Sequence, residues 1–113
     1  MKTILIAEDE VDIAETLQSY LEWAGYSVIL AFDGREALHK LTEIAPDLLL
    51  TDMMMPRMDG SELIREIRAT PSLRHIPIIT MSAQQRPTDL PFFRKPFDLV
   101  KLLDTIRSML GED

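Results

Sequence analysis

With 113 residues, 46% of them hydrophobic and 27% charged, the chain has the size and balance of one small globular domain and lacks the composition of a disordered tail. A formal net charge of −7 disfavours direct DNA binding or attachment to an anionic membrane, and the absence of cysteine excludes disulfides, thiolate catalysis and zinc–thiolate sites. No signal peptide and no apolar run of membrane-spanning length is visible, so a cytoplasmic protein is expected.

Thr3 to Ala7 is a short apolar run rich in β-branched residues and reads as the first strand, ending in Glu8-Asp9-Glu10. A helix over about Val11 to Ala24 follows, with Ala14, Leu17, Leu21 and Ala24 at three- and four-residue steps and Gly25 as its stop. Ser27 to Ala31 is a second strand. Asp33-Gly34 opens a second helix with Ala37, Leu38, Leu41 and Ile44 on one face, closed by Pro46. Leu48 to Thr51 is continuously apolar, the pattern of a parallel strand covered on both faces, and it stops on Asp52. Asp59-Gly60-Ser61-Glu62 has the spacing of a helix start, with Leu63, Ile64 and Ile67 behind it and Thr70-Pro71-Ser72 at its end. Ile76 to Met81 reads as a fourth strand, ending in Ser82-Ala83, and the last helix runs from about Asp98 to Leu110. Strand alternating with helix implies an α/β fold with a parallel, doubly wound sheet and right-handed crossovers.

In such a sheet the reactive crevice lies outside the carboxyl ends of the strands. There the sequence delivers Glu8 and Asp9 after strand 1, Asp52 after strand 3 and Ser82 after strand 4, with Lys95 ahead of the last helix. Each alone has an ordinary explanation: an acidic helix start, a turn residue, a cap, a solvated lysine. Together they place three carboxylates at one edge, where they cannot all stay ionised without a cation. Oxygen-only ligands favour Mg²⁺. An aspartate partly neutralised in this way can still attack phosphorus, with a hydroxyl and an ammonium to receive the phosphoryl oxygens.

The motifs Ile4-Leu5-Ile6-Ala7-Glu8-Asp9-Glu10, Asp52-Met53-Met54-Met55-Pro56-Arg57-Met58-Asp59-Gly60, Ile76 to Ile79 leading to Ser82-Ala83, and Lys95-Pro96-Phe97 together resemble the receiver domains of bacterial two-component response regulators, over nearly the whole chain. The resemblance implies a flavodoxin-like fold with five parallel strands in 2-1-3-4-5 order, the order quoted for a member of that family. It implies that Asp52 is the phospho-acceptor, supplied by a sensor histidine kinase or a histidine phosphotransfer protein. It implies Mg²⁺ held by Asp9, Asp52 and the backbone carbonyl of Met54, with Glu8 acting through water. Ser82 and Lys95 are then the phosphoryl contacts, the Lys95–Pro96 bond is cis, and Phe92 matches an aromatic switch position whose other reading is plain core packing.

Two features depart from the family pattern. Glu8 stands where aspartate is commonest. Residues 83–94 are also too few for the usual loop, helix 4 and strand 5. A strand of about four or five residues leaves roughly seven or eight for the crossover, below the roughly ten to twelve a βαβ connection needs. Pro87 and Pro91 break any helix there. Helix 4 is therefore expected to be absent or reduced to a turn, with strand 5 around Leu90 to Phe93 and a sheet face left open to a downstream partner or a second copy. The expectation is a single receiver domain over residues 1–113 with no output domain, a signalling acceptor in place of an enzyme with turnover. The alternative is a phosphorylation-independent pseudo-receiver that acts as a docking module. A flavin-binding protein is disfavoured because Glu8-Asp9-Glu10 would repel phosphate, and a phosphohydrolase because so short a chain has no cap region or substrate pocket.

Overall fold

The computed structural model describes residues 1–84 and 89–112. Nine elements follow in chain order: β1 (Thr3–Ala7), α1 (Val11–Trp23), β2 (Ser27–Ala31), α2 (Gly34–Ile44), β3 (Leu48–Asp52), α3 (Gly60–Ala69), β4 (Ile78–Ser82), β5 (Phe92–Arg94) and α4 (Leu99–Met109). The strands form one parallel sheet in the order β2-β1-β3-β4-β5. This is the expected doubly wound, flavodoxin-like order.

Side chains alternate across a strand, so neighbouring residues of β3 feed opposite layers. Leu48 and Leu50 join Ile4, Ile6, Ile79 and Met81 against Leu17 and Leu21 of α1 and Leu102, Leu103 and Ile106 of α4. Leu49 joins Leu5 and Ile78 against Ala37 and Leu41 of α2 and Leu63, Ile64 and Ile67 of α3. Every residue of β3 and β4 is buried, which is why these segments read as unbroken apolar runs. Ile44, expected on the inner face of α2, is instead 40% exposed, because the chain leaves the helix there through a left-handed Ala45.

Local chemistry fixes the helix starts. Asp33 accepts from the Glu36 N–H, and Asp59 and Glu62 form a reciprocal capping box at α3. Asp98 accepts from the Val100 and Lys101 N–H groups at α4.

The β4–β5 connection differs from the usual crossover, and four helices are present among the described residues. Residues 83, 84 and 89–91 are non-helical. The expected replacement of helix 4 by a turn falls in part on residues 85–88, which lie outside the described residues. Strand 5 is parallel as expected but spans Phe92–Arg94, later than Leu90 to Phe93. Pro91 lacks an N–H, and its carbonyl opens the pairing by accepting from the Thr80 N–H at 2.8 Å and Oγ1 at 2.9 Å. Strand 4 likewise begins at Ile78, not Ile76, with the Pro77 carbonyl accepting from the Leu49 N–H. The expectation of an open face beside β4 is corrected. Ile78 and Thr80 are buried, Leu90 packs against the α2–α3 layer, and Asp89 makes a two-oxygen ion pair with Arg68 of α3.

Candidate functional site: a carboxylate cluster at the carboxyl edge of the sheet

Three of the site segments leave the sheet with one further backbone bond to a neighbouring strand. The Glu8 N–H donates to Ala31 O (2.9 Å), Met53 N–H to Met81 O (2.9 Å) and Lys95 N–H to Ser82 O (2.8 Å). The ladder therefore continues past each strand end and sets the bases of Glu8, Asp52 and Lys95 on the rigid sheet. Carrying the pleat alternation one step further puts these three side chains on the α1–α4 face, and Ser82 with Phe92 on the other.

The side chains meet. One carboxylate oxygen from each of Glu8, Asp9 and Asp52 lies within 4.8 Å of the other two. Glu8 and Asp52 are buried and Asp9 is exposed. Lys95 Nζ donates to Glu8 Oε1 and, at 3.1 Å, to Asp52 Oδ2. Glu8 Oε2 accepts from the Glu10 N–H (3.1 Å) and Asp52 Oδ1 from the Met54 N–H (3.1 Å). Burial, the largest influence, raises the Glu8 carboxyl to about 7, against the lowering by Lys95 and the Glu10 N–H. Burial alone would lower the Lys95 ammonium, but its bond to Glu8 and the charges of Asp52 and Glu8 outweigh that and hold it above its ordinary value.

Ser82 is buried at the end of β4 and its Oγ accepts from the Gln84 N–H at 3.1 Å. Phe92 is half-buried on β5 in register with Thr80, and the Lys95–Pro96 bond is cis. Sequence reasoning gives Lys95 as a phosphoryl contact and carries no sign of its bond to Glu8, because the two residues are 87 apart and meet only once the strands are in register. It also missed a latch on the loop after Asp52. Arg57, at a left-handed φ of 65°, donates through Nε to Asp33 Oδ2 at 2.8 Å. Gly34 lies so close to this loop that a Cβ there would stand 2.0 Å from Met58 O. An arginine in the left-handed region costs energy and needs such a fixed partner. That conformation has no signature in residue type.

The donor set suits a hard divalent cation. Oxygens bound to Mg²⁺ at about 2.1 Å stand at most roughly 4.2 Å apart, so the carboxylates need only a small shift to share one ion. The fold and this edge thus define a doubly wound α/β domain with an acidic pocket backed by a lysine. A family model described as the response regulator receiver domain matches residues 4–107. Response regulator MprA of Mycolicibacterium vanbaalenii is 36% identical over 116 residues, covering 95% of this chain and 49% of that protein. The signal receiver domain of a signal transduction histidine kinase from Syntrophus aciditrophicus has a TM-score of 0.91 at 35% identity, with 98% and 91% of the two chains covered. The receiver domain of the sensor histidine kinase PA1611 from Pseudomonas aeruginosa, whose structure holds a magnesium ion in the active site cleft, has a TM-score of 0.90 at 28% identity over 97% and 98% of the chains. The chain belongs to the response regulator receiver domain family. It spans about half the length of the curated relatives it matches.

Proposed function

We propose that this receiver domain takes a phosphoryl group on Asp52 from the phosphohistidine of a histidine kinase or phosphotransfer protein, and passes on a conformational signal. The observation that carries this reading is the convergence of Glu8, Asp9 and Asp52 on one point with Lys95 bonded to two of them. A carboxylate oxygen of Asp52 bonds to phosphorus as the phosphorus–nitrogen bond of the donor breaks, and its electron pair leaves on the imidazole. Glu8, Asp9, Asp52 and the Met54 carbonyl are the groups that would hold Mg²⁺. When bound, the ion offsets the charge gathered between acceptor and phosphoryl group.

Lys95, already beside Asp52, is placed to follow the phosphoryl oxygens. Ser82 Oγ accepts the Gln84 N–H, which leaves its O–H able to donate to those oxygens, and its neighbour on the same face, Phe92, repacks as Ser82 shifts. These roles amount to a population shift between two arrangements. A groove of about 560 Å³ lined by Ile13, Leu17, Phe97 and Leu99 opens beside Lys95 and supports the approach of a phosphodonor protein. A cytoplasmic setting belongs to the same reading, and no helix among the described residues is long and apolar enough to cross a membrane.

The test is the intact mass after incubation with Mg²⁺ and a small phosphodonor, beside an Asp52→Ala control. The expected result is one phosphoryl adduct that requires both Mg²⁺ and Asp52. An adduct that persists in Asp52→Ala overturns the assignment of the acceptor. No adduct in the unaltered protein points to a docking module without phosphate chemistry.

A further inference from the structure

We propose that Lys95 is a built-in competitor of the divalent cation, holding Glu8 in the cation-free protein so that the ion gains Glu8 only as Lys95 lets go. The inference rests on the reading of Glu8, Asp9 and Asp52 as a cation site.

The argument is one of partners. Each of the four carboxylate oxygens of Glu8 and Asp52 already accepts a hydrogen bond. Two of the donors are the Glu10 and Met54 N–H groups, fixed in the main chain. The other two oxygens are both served by the single ammonium of Lys95. Backbone donors carry no net charge, and a carboxylate oxygen can keep one while also binding a cation. An ammonium cannot be kept so cheaply. It is a full like charge at the point where the ion's charge must sit, in a pocket where the Lys95 side chain is 12% exposed and water screens little.

Lys95 is also the most movable of the donors, a four-carbon stem rising from the residue after the edge strand β5. Its two contacts are not equivalent. The contact to Asp52, at 3.1 Å, is the longer of the two, and Asp52 can be shared between ammonium and ion. Glu8 is fully buried, with one oxygen held by the Glu10 N–H just ahead of α1 and the other, among the described residues, by Lys95. Glu8 is therefore the contested group, and its grip on Lys95 sets the cation affinity of the site.

Mg²⁺ is titrated by calorimetry into the unaltered protein, Lys95→Met, Glu8→Gln and the double variant, with the melting temperature of each read with and without Mg²⁺. Lys95→Gln, which keeps an N–H donor for the two carboxylates, replaces the methionine variant if that one does not fold. Removing the ammonium is expected to tighten Mg²⁺ binding at least about fivefold, the lower end of coupling between two sites, and to enlarge the Mg²⁺-induced rise in melting temperature. In the Glu8→Gln background the same removal is expected to give little gain, because the contested carboxylate is gone. Binding that is unchanged or weaker in the Lys95 variants overturns the proposal while leaving the cation site intact. An equal gain in both backgrounds also overturns it, since general charge repulsion then suffices. If none of the folded proteins takes up Mg²⁺, it is the cation reading itself that fails.

Discussion

At the scale of single residues the site is a buried charge imbalance. Glu8 and Asp52 share one ammonium, so as pH rises past the Glu8 value of about 7 the trio gains an uncompensated negative charge in a pocket that water barely reaches. Neutralising Asp52 should relieve it. Asp52→Asn, measured without Mg²⁺ at about pH 8, is expected to raise stability by about 1 kcal/mol or more in urea unfolding, since Lys95 keeps Glu8 as its partner and the surplus like charge is gone. A loss of stability would mean that Lys95 gains more from Asp52 than the like charges cost. A second carboxylate shows the opposite balance. Asp33 lies below its ordinary 3.8, first because it accepts the Glu36 N–H and then because Arg57 pairs with it. A depressed carboxyl adds stability above its unfolded value and loses it as pH falls through the folded one. The advantage of the unaltered protein over Asp33→Asn, which keeps a cap but not the charge, is therefore expected in full at pH 6 and should shrink as pH falls below 3.8 toward the lower folded value. Paired urea titrations at pH 6 and pH 3 check this.

At the scale of elements, regular signals were legible and the exceptions were not. The apolar runs at Leu48–Leu50 and the Asp-x-x-Glu spacing at Asp59 act through local rules, and both elements stand where those rules put them. β4 and β5 each start two residues later than the apolar pattern suggests because Pro77 and Pro91 each pair through a carbonyl while lacking an N–H, so the ladder begins before the strand does. The segment before β5 showed its shortness in sequence, but not what it covers. Leu90 fills the α2–α3 layer, while the Asp89–Arg68 pair lies in solvent and is expected to matter little. Leu90→Ala should lower stability by about 1–2 kcal/mol, part of the value of a fully buried leucine. Asp89→Ala should leave the unfolding midpoint nearly unchanged. Equal effects would show that the ion pair, and not the leucine, fastens the connection.

At the scale of the whole molecule, one sheet serves two helix layers, and the proposed signalling by population shift requires that they respond together. By strand alternation the carboxylates fall on the α1–α4 side and Ser82 and Phe92 on the other, so in the proposed function news of a phosphoryl group must pass between the layers. The coupling can be read without phosphate. Leu49 is fully buried on the α2–α3 side, and Trp23, the sole tryptophan, ends α1 on the opposite side. Leu49→Ala should cost about 2–5 kcal/mol as a core cavity. If the layers form one cooperative unit, Trp23 fluorescence and far-ultraviolet ellipticity will move to the same lower midpoint in urea. If Trp23 keeps its original midpoint while ellipticity falls early, the layers unfold separately. The sheet would then be a poor conduit between Asp52 and any surface built on α2 and α3, and the signal would have to leave through α1 and α4.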